Sequence, residues 1–247
     1  MQNYQSLIEF LAELRENNNT VWFDGNRSRY KALREEFIDF TTEVHAGMLG
    51  FDPSLRHLNP RKSLFRINRD IRFSRDKTPY KTHIGAKFSA TGQKKEIAGY
   101  GFGFSADGGL YIMAGINKLP TDRLNLIRDD LVNEESKLLD ILLGFTQKQS
   151  PQTPFIKGAL NEFELSDLGF GALKNIPRGY PKDFAYPELL KLQAFWAMGR
   201  RSLIPAQAGI HKKAFKSGEL RDYILERFEQ LQPMVTAMNE VLGAISN

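Results

Sequence analysis

The chain has 247 residues, of which 41% are hydrophobic and 26% charged, and its 34 basic and 29 acidic residues leave a net charge of +5. That length and balance suit a globular protein with a real core, in one large domain or two small ones, and exclude a disordered or fibrous chain. The absence of cysteine excludes a disulfide framework, a thiolate zinc site and a cysteine nucleophile.

The first residues, Met1-Gln-Asn-Tyr-Gln-Ser, lack a basic segment followed by an apolar run, and no apolar stretch approaches the ~18 residues of a membrane span. The expectation is a cytoplasmic protein without a membrane partner. Tyr4, Leu7, Ile8, Leu11 and Leu14 recur at helical spacing and predict an amphipathic helix over 4–16, ended by Asn17-Asn18-Asn19. Tyr30, Leu33, Phe37, Phe40 and Val44 predict a second helix over 27–48. The aromatics Trp22, Phe23 and Tyr30 suit a core better than a surface that stacks on a base or sugar.

The middle of the chain reads as sheet. Leu64–Ile71, Thr82–Ser89 and Gly99–Ser105 are strand-compatible, and Asp107-Gly108-Gly109 is a hairpin turn leading to a returning strand over Leu110–Ile116. In Gly99-Tyr100-Gly101-Phe102-Gly103-Phe104 the aromatics share one face and the glycines the other. The aromatic face belongs on a core, and the glycine face admits close approach of a ligand or helix. The stretch is neither a phosphate loop nor a dinucleotide fingerprint.

Further on, Thr121 is read as the N-cap of a helix carrying Leu124, Ile127 and Leu131, and Asn133 as the cap of a short helix reaching Leu143. Residues 145–160 read as an exposed loop, Phe163–Leu165 as a short edge strand and Pro187–Trp196 as a helix. The last helix spans 217–244 with Ser217 as its cap and Pro233 expected to kink or split it. The whole reads as one α+β domain over 1–247. Its central, mainly antiparallel sheet is built from about residues 63–117, with helices from both chain ends packed on it.

Chemistry concentrates in one run. Between Arg61 and Lys95 stand eleven Lys or Arg against two acids, Asp70 and Asp76, so this segment carries +9 and the rest of the chain is net acidic. A local basic patch on an acidic protein points to an anionic ligand. Arg binds carboxylate or phosphate through a planar fork. On a strand over 64–71, Arg66, Asn68, Asp70 and Arg72 share one face, and Arg69 on the other needs a partner. Asp70 is expected to be partly buried and bonded to Arg66, Arg69 or Arg72. Lys77 and Tyr80 are expected at the rim of a loop over 74–80. The candidate catalytic residues are Asp70 and His83, the latter as general acid or base. The four histidines, His45, His57, His83 and His211, show no metal-ligand spacing, so no metal is assigned, and no cofactor is legible.

The pattern R-x-x-R-D-x-R-F-x-x-D-K-x-x-Y, filled by Arg66, Arg69, Asp70, Arg72, Phe73, Asp76, Lys77 and Tyr80, resembles the signature of an uncharacterised family, domain of unknown function 2461. The resemblance extends from Asn17-Asn18 and Trp22-Phe23 through Gly108-Gly109, Leu124-x-x-Ile127-Arg128 and Leu173-Lys174 to Gly179-Tyr180. It departs from the pattern at Asp183-Phe184 and at Gln193. The resemblance implies a cytosolic single-domain protein and brings no mechanism.

The candidate ligand-binding set is therefore Arg66, Arg69, Arg72, Lys77, Tyr80 and Arg128. Three functions are open. An enzyme or binder acting on a small phosphorylated or carboxylated molecule would hold the arginines and His83 in a pocket. A nucleic-acid or nucleotide module, the less favoured partner class, would extend a flat stripe through Lys87, Lys94 and Lys95. A non-catalytic interaction protein would pair every arginine internally. Whether a reaction occurs, and the oligomeric state, are left open.

Overall fold

The computed structural model describes residues 4–92, 97–117, 119–144, 163–166, 171–203, 215 and 218–244. Lys94 and Lys95, the loop expected over 145–160, His211 and Ser217 lie outside them. In chain order the described elements are α1 (Tyr4–Glu16), α2 (Thr20–Gly25), α3 (Arg27–Met48), β1 (His83–Phe88), β2 (Gly99–Ser105), β3 (Gly109–Ile116), α4 (Thr121–Leu131), α5 (Lys137–Leu143), β4 (Glu164–Ser166), α6 (Pro187–Lys191), β5 (Phe195–Ser202) and α7 (Glu219–Val241). The fold is α+β. Its five strands form one sheet in the order β1-β2-β3-β5-β4, with every neighbouring pair antiparallel.

One face of that sheet makes the core. Tyr100, Phe102 and Phe104 of β2 are fully buried, and Tyr4 of α1, Phe37 and Phe40 of α3, and Phe228 of α7 bring their rings to them. Helices from both ends of the chain thus close over the aromatic side of the glycine-aromatic strand. Trp22, Phe23 and Tyr30 join Phe10 in a second ring cluster, in which Phe23 is buried core and Trp22 and Tyr30 are half-buried against it. His45 is buried, with Nε2 2.9 Å from the Leu55 carbonyl. No helix among the described residues is long and apolar enough to cross a membrane.

α7 reaches the sheet with a polar group as well. Asn239 is buried, and its side-chain amide accepts from Ala98 N at 2.9 Å and donates to Ala98 O at 3.3 Å. It stands in for a strand partner just before β2 begins. Asn239→Ala leaves both backbone groups of Ala98 without that partner, and is expected to cost about 1–3 kcal/mol in urea unfolding. A cost no larger than that of a surface substitution would show that this amide does not tie α7 to the sheet.

Several local expectations are corrected. Leu64–Ile71 is not a strand: it makes only the isolated bridges Leu64↔Ala86 and Asn68↔Tyr80. After Phe65 the chain leaves β1's edge and pairs with residues 79–81 instead, Lys81 N donating to Ile67 O at 2.8 Å and Arg69 N to Pro79 O at 2.9 Å. Residues 195–202 are strand β5, paired along its length with β3, so the helix expected over Pro187–Trp196 stops at Lys191 and the sheet extends well beyond residue 117. Thr121 is the first residue of α4 rather than its cap, which is Pro120, and Ser136 caps α5 by accepting from Leu139 N at 2.9 Å, in place of Asn133. The helix α2 was not foreseen. Asn19, read as a helix stop, is its N-cap and accepts from Trp22 N. α7 runs through Pro233 as one helix.

Candidate functional site

The signature run folds as a loop braced by its own charges. Arg69 donates to Asp76 and to the hydroxyl and carbonyl of Thr78, and Asp76 in turn accepts from Thr78 N at 2.9 Å. Arg72 grips Asp70 with both arms of its fork, Nε to Oδ1 at 2.9 Å and Nη2 to Oδ2 at 2.6 Å. Lys77 Nζ donates to Ile71 O at 3.0 Å, and Lys81 Nζ to Arg66 O at 2.8 Å. Asp70 is therefore bonded to an arginine as expected, but it is exposed rather than partly buried.

Tyr80 is not at a rim. It is buried and stacks on Phe23, with centroids 4.0 Å apart, while Asn18 holds its backbone with bonds of 2.9 and 3.1 Å. Arg128 is brought to none of these residues. It is buried in α4 and donates to Leu190 O, Leu192 O and Asn125 Oδ1, and burial lowers its pKa. There it clamps the end of α6 and the turn toward β5.

The loop's ion pairs predict a pH window. The Arg72 bonds hold the Asp70 carboxyl at about 2, and the Thr78 and Arg69 bonds hold Asp76 at about 2, against an ordinary 3.8. Both folded values lie below the unfolded one. The stabilisation is therefore complete above about pH 3.8 and is lost as pH falls toward 2. Side-chain carboxyl shifts followed by NMR should titrate near 2; midpoints at or above 3.8 would contradict the pairing. Because both groups are fully exposed and screened, Asp70→Asn should change global stability little.

The concave site lies elsewhere, on the sheet face opposite the helices. A pocket of about 450 Å³ is lined by residues of four strands, β1, β2, β3 and β5, and their flanks, with Thr82 and His83 of the Arg66–His83 run among them. The strand register explains its floor. His83, Gly85 and Lys87 of β1 stand opposite Ser105, Gly103 and Gly101 of β2, and the next pairs carry Tyr111 and Met113 of β3, then Arg200, Met198 and Trp196 of β5. The glycines leave the sheet bare there, so Tyr111 lies across β2 and β1 and donates to Ile84 O at 3.2 Å. The glycine face anticipated as a surface of close approach is occupied by Tyr111 and Met113 and bounds the pocket at Gly101.

The walls are cationic. Arg15, Lys87 and Arg200 line the pocket with one carboxylate among the described residues, Asp107, and Arg15 is paired with Glu16 at 3.1 Å. Asp107 is engaged by the hairpin turn, accepting from Ser105 Oγ and from Gly109 N at 3.0 Å, and lies 3.9 Å from Arg200. Lys87 is only 4% exposed; its Nζ donates to Ile97 O at 3.2 Å and sits 5.4 Å from the centre of the Trp196 ring. Trp196 is 2% exposed, and its Nε1 has no hydrogen-bond partner among the described residues. His83 is open to solvent on one side. Even so, the protein packed around its ring, with Lys81 and Arg200 adding repulsion, lowers its pKa below 6.5.

Of the two catalytic candidates, only His83 lines this pocket. Arg66, Arg69, Arg72, Lys77, Tyr80 and Arg128 do not. Sequence reasoning missed Lys87, Tyr111, Trp196 and Arg200 as a set. The alternation His83-Gly85-Lys87, polar or small against the apolar Ile84-Ala86-Phe88, was the available signal for the first of them. No group of His, Asp and Glu with metal-holding geometry occurs among the described residues.

Searches of curated proteins and of solved structures found no match. The family model described as conserved hypothetical protein (DUF2461) matches residues 6–236, nearly the whole chain, and the chain belongs to that family.

Proposed function

We propose that the protein binds an anionic small molecule, and that the binding site is the pocket on the glycine face of the sheet rather than the signature loop. The observation that carries this reading is the placement of Arg200 and His83, with Arg15 and Lys87 beside them, around one cavity whose one carboxylate among the described residues is engaged in a turn. Carboxylate and phosphate are the groups such walls recognise. In the loop Arg69 and Arg72 are committed to acids and Lys77 and Lys81 to carbonyls. In the pocket Arg15 pairs with Glu16 and Lys87 donates to Ile97 O, so Arg200 and His83 are the groups on which this reading rests. The loop's role in this reading is to hold the chain that leads into His83.

The test is calorimetric titration of the purified chain with a panel of small carboxylates and phosphates. Arg200→Ala removes an exposed side chain, so the fold survives. It should weaken binding about tenfold or more, the equivalent of one charge-assisted hydrogen bond. Arg72→Ala should leave affinity unchanged. The reverse pattern would return the site to the loop, and a panel without a binder would end the proposal.

His83 makes the binding proton-linked. Its folded pKa is depressed, so it is neutral at pH 7, whereas an anion beside it favours the charged ring. Binding should therefore take up a proton. Affinity for a carboxylate, which stays ionised above about pH 5, is expected to rise as pH falls from about 7.5 to about 5.5. His83→Asn should flatten that slope. A flat profile in the parent protein would remove His83 from the site.

A further inference from the structure

Among the described residues the only exposed phenylalanine, tyrosine or tryptophan rings are Phe65 and Phe73, at 38% and 96%. Both stand in the basic run, where residues 65–81 carry six Lys or Arg against Asp70 and Asp76. Each ring has a cation against it. The Lys81 ammonium lies 5.7 Å from the centre of Phe65, and the Arg72 guanidinium 5.9 Å from that of Phe73. Each also has a further exposed arginine close by in sequence, Arg66 and Arg75. Neither of those two guanidiniums makes a hydrogen bond or ion pair among the described residues. The same unit, an exposed ring with a cation against it and an uncommitted arginine beside it, thus occurs twice within the run.

The loop presents the second unit on a fixed frame. Arg69 bonds Asp76 and Thr78, Arg72 grips Asp70, and Asn18 holds the Tyr80 backbone at the base. Little ordering is left to be done on binding. At the first unit, burial lowers the Lys81 pKa and the Arg66 charge adds repulsion, so an anion there would relieve crowded cations. Rings that take the flat face of a base, interleaved with cations that take phosphate, are the combination that holds a single strand. A duplex keeps its base faces stacked and offers the rings nothing. An anionic bilayer fits less well, since Phe73 is flanked in the loop by Asp70, Ser74 and Asp76, with Ile71 as one further apolar side chain. Eight residues span at most about 29 Å, so both units can engage one strand within the ~4–16 nucleotides of small single-strand modules. The stripe expected through Lys87 is not the track, because Lys87 is buried.

We propose that the segment from Phe65 to Lys81 binds single-stranded nucleic acid, with bases stacked on Phe65 and Phe73 and phosphates held by Arg66 and Arg75. This surface is separate from the small-molecule pocket except at Phe65, which borders both.

The experiment is fluorescence anisotropy of the full chain with labelled oligothymidylate and oligouridylate of about 12 nucleotides, beside oligothymidylate annealed to oligoadenylate. At least one single strand should bind more tightly than the duplex, and the ranking of the two tells DNA from RNA. Phe73→Ala should weaken binding about tenfold, the loss of one stacked base. Phe73→Leu, which stays apolar, should lose as much, whereas Phe73→Trp should not. Arg66→Ala and Arg75→Ala should each lower the slope of log affinity against log salt by about 0.7, one phosphate contact apiece. All these side chains are exposed, so the fold survives each change. Equal binding of the duplex would overturn the stacking and with it the proposal. Variants that bind like the parent would place the nucleic acid elsewhere and overturn it too. If the chain ignores the oligonucleotides but sediments with phosphatidylcholine vesicles containing phosphatidylserine, the surface is a membrane contact and the proposal falls. Absence of any oligonucleotide binding overturns it as well and leaves the small-anion reading of the pocket standing on its own titration.

Discussion

Phe102→Ala is expected to lower the unfolding free energy by about 3–5 kcal/mol, the range for truncating a buried aromatic ring in a packed core. Phe102 is fully buried in the middle of β2, and its ring centre lies 5.5 Å from Phe37, 5.8 Å from Phe40, 6.1 Å from Phe88 and 6.3 Å from Phe228. Those rings come from α3, β1 and α7. A cavity at this point therefore loosens α3 and α7 from the sheet at once and removes a partner from Phe88 of β1. Phe73 provides the contrast. It is 96% exposed at the tip of the signature loop, with only the Arg72 guanidinium near its ring at 5.9 Å. Phe73→Ala buries and uncovers almost nothing, and should fall within about 0.5 kcal/mol of the parent. Urea unfolding of the two variants side by side is the measurement. Equal costs would mean that the two phenylalanines do not differ in burial and that the core is not centred on β2.

The helices were legible because their apolar spacing is local. Tyr4, Leu7, Ile8, Leu11 and Leu14 define one face whatever the rest of the chain does, and α1 spans Tyr4–Glu16 as read. The β2–β3 hairpin was legible for a similar reason, since Asp107-Gly108 supplies its own turn and Gly108 has φ +76°. β5 was not. Ala194-Phe195-Trp196-Ala197-Met198 is an apolar run that suits helix or strand, and only its pairing with β3, some eighty residues earlier, decides. The site shows the same division. That the run from Arg66 to His83 is dense in charge can be read directly. Which arginine takes which acid depends on a loop closing, and that closure commits Arg69 and Arg72 to acids within the loop. The pocket was invisible because its members are distant in sequence: His83 and Lys87, then Tyr111 and Met113, then Trp196 and Arg200 meet only when four strands, β1, β2, β3 and β5, are in register.

That register is what the glycines of β1 and β2 protect, and it makes Gly103→Ala a damaging substitution at the pocket floor. A Cβ at Gly103 would overlap both the Tyr111 hydroxyl and the carbonyl oxygen of Ile84 on the neighbouring strand. The hydroxyl can swing away, but the carbonyl belongs to the β1–β2 ladder and cannot. Gly103→Ala is therefore expected to cost about 3 kcal/mol or more, the upper end for overpacking. Gly85 differs in its obstruction. Its Cβ would meet the Tyr111 hydroxyl first, and the nearest backbone atom, Phe102 O, is at 2.9 Å, a much smaller overlap than the one with Ile84 O at Gly103. Gly85→Ala alone should cost about 1–3 kcal/mol. In a Tyr111→Ala background much of that cost should vanish, a coupling of about 1 kcal/mol or more in a double-mutant cycle. For Gly103→Ala the same background should give little relief, because the carbonyl remains. If Tyr111→Ala rescued both substitutions equally, the side chain and not the ladder would be the obstacle at Gly103. If it rescued neither, Tyr111 would not lie across the two strands, and the pocket would have a different floor.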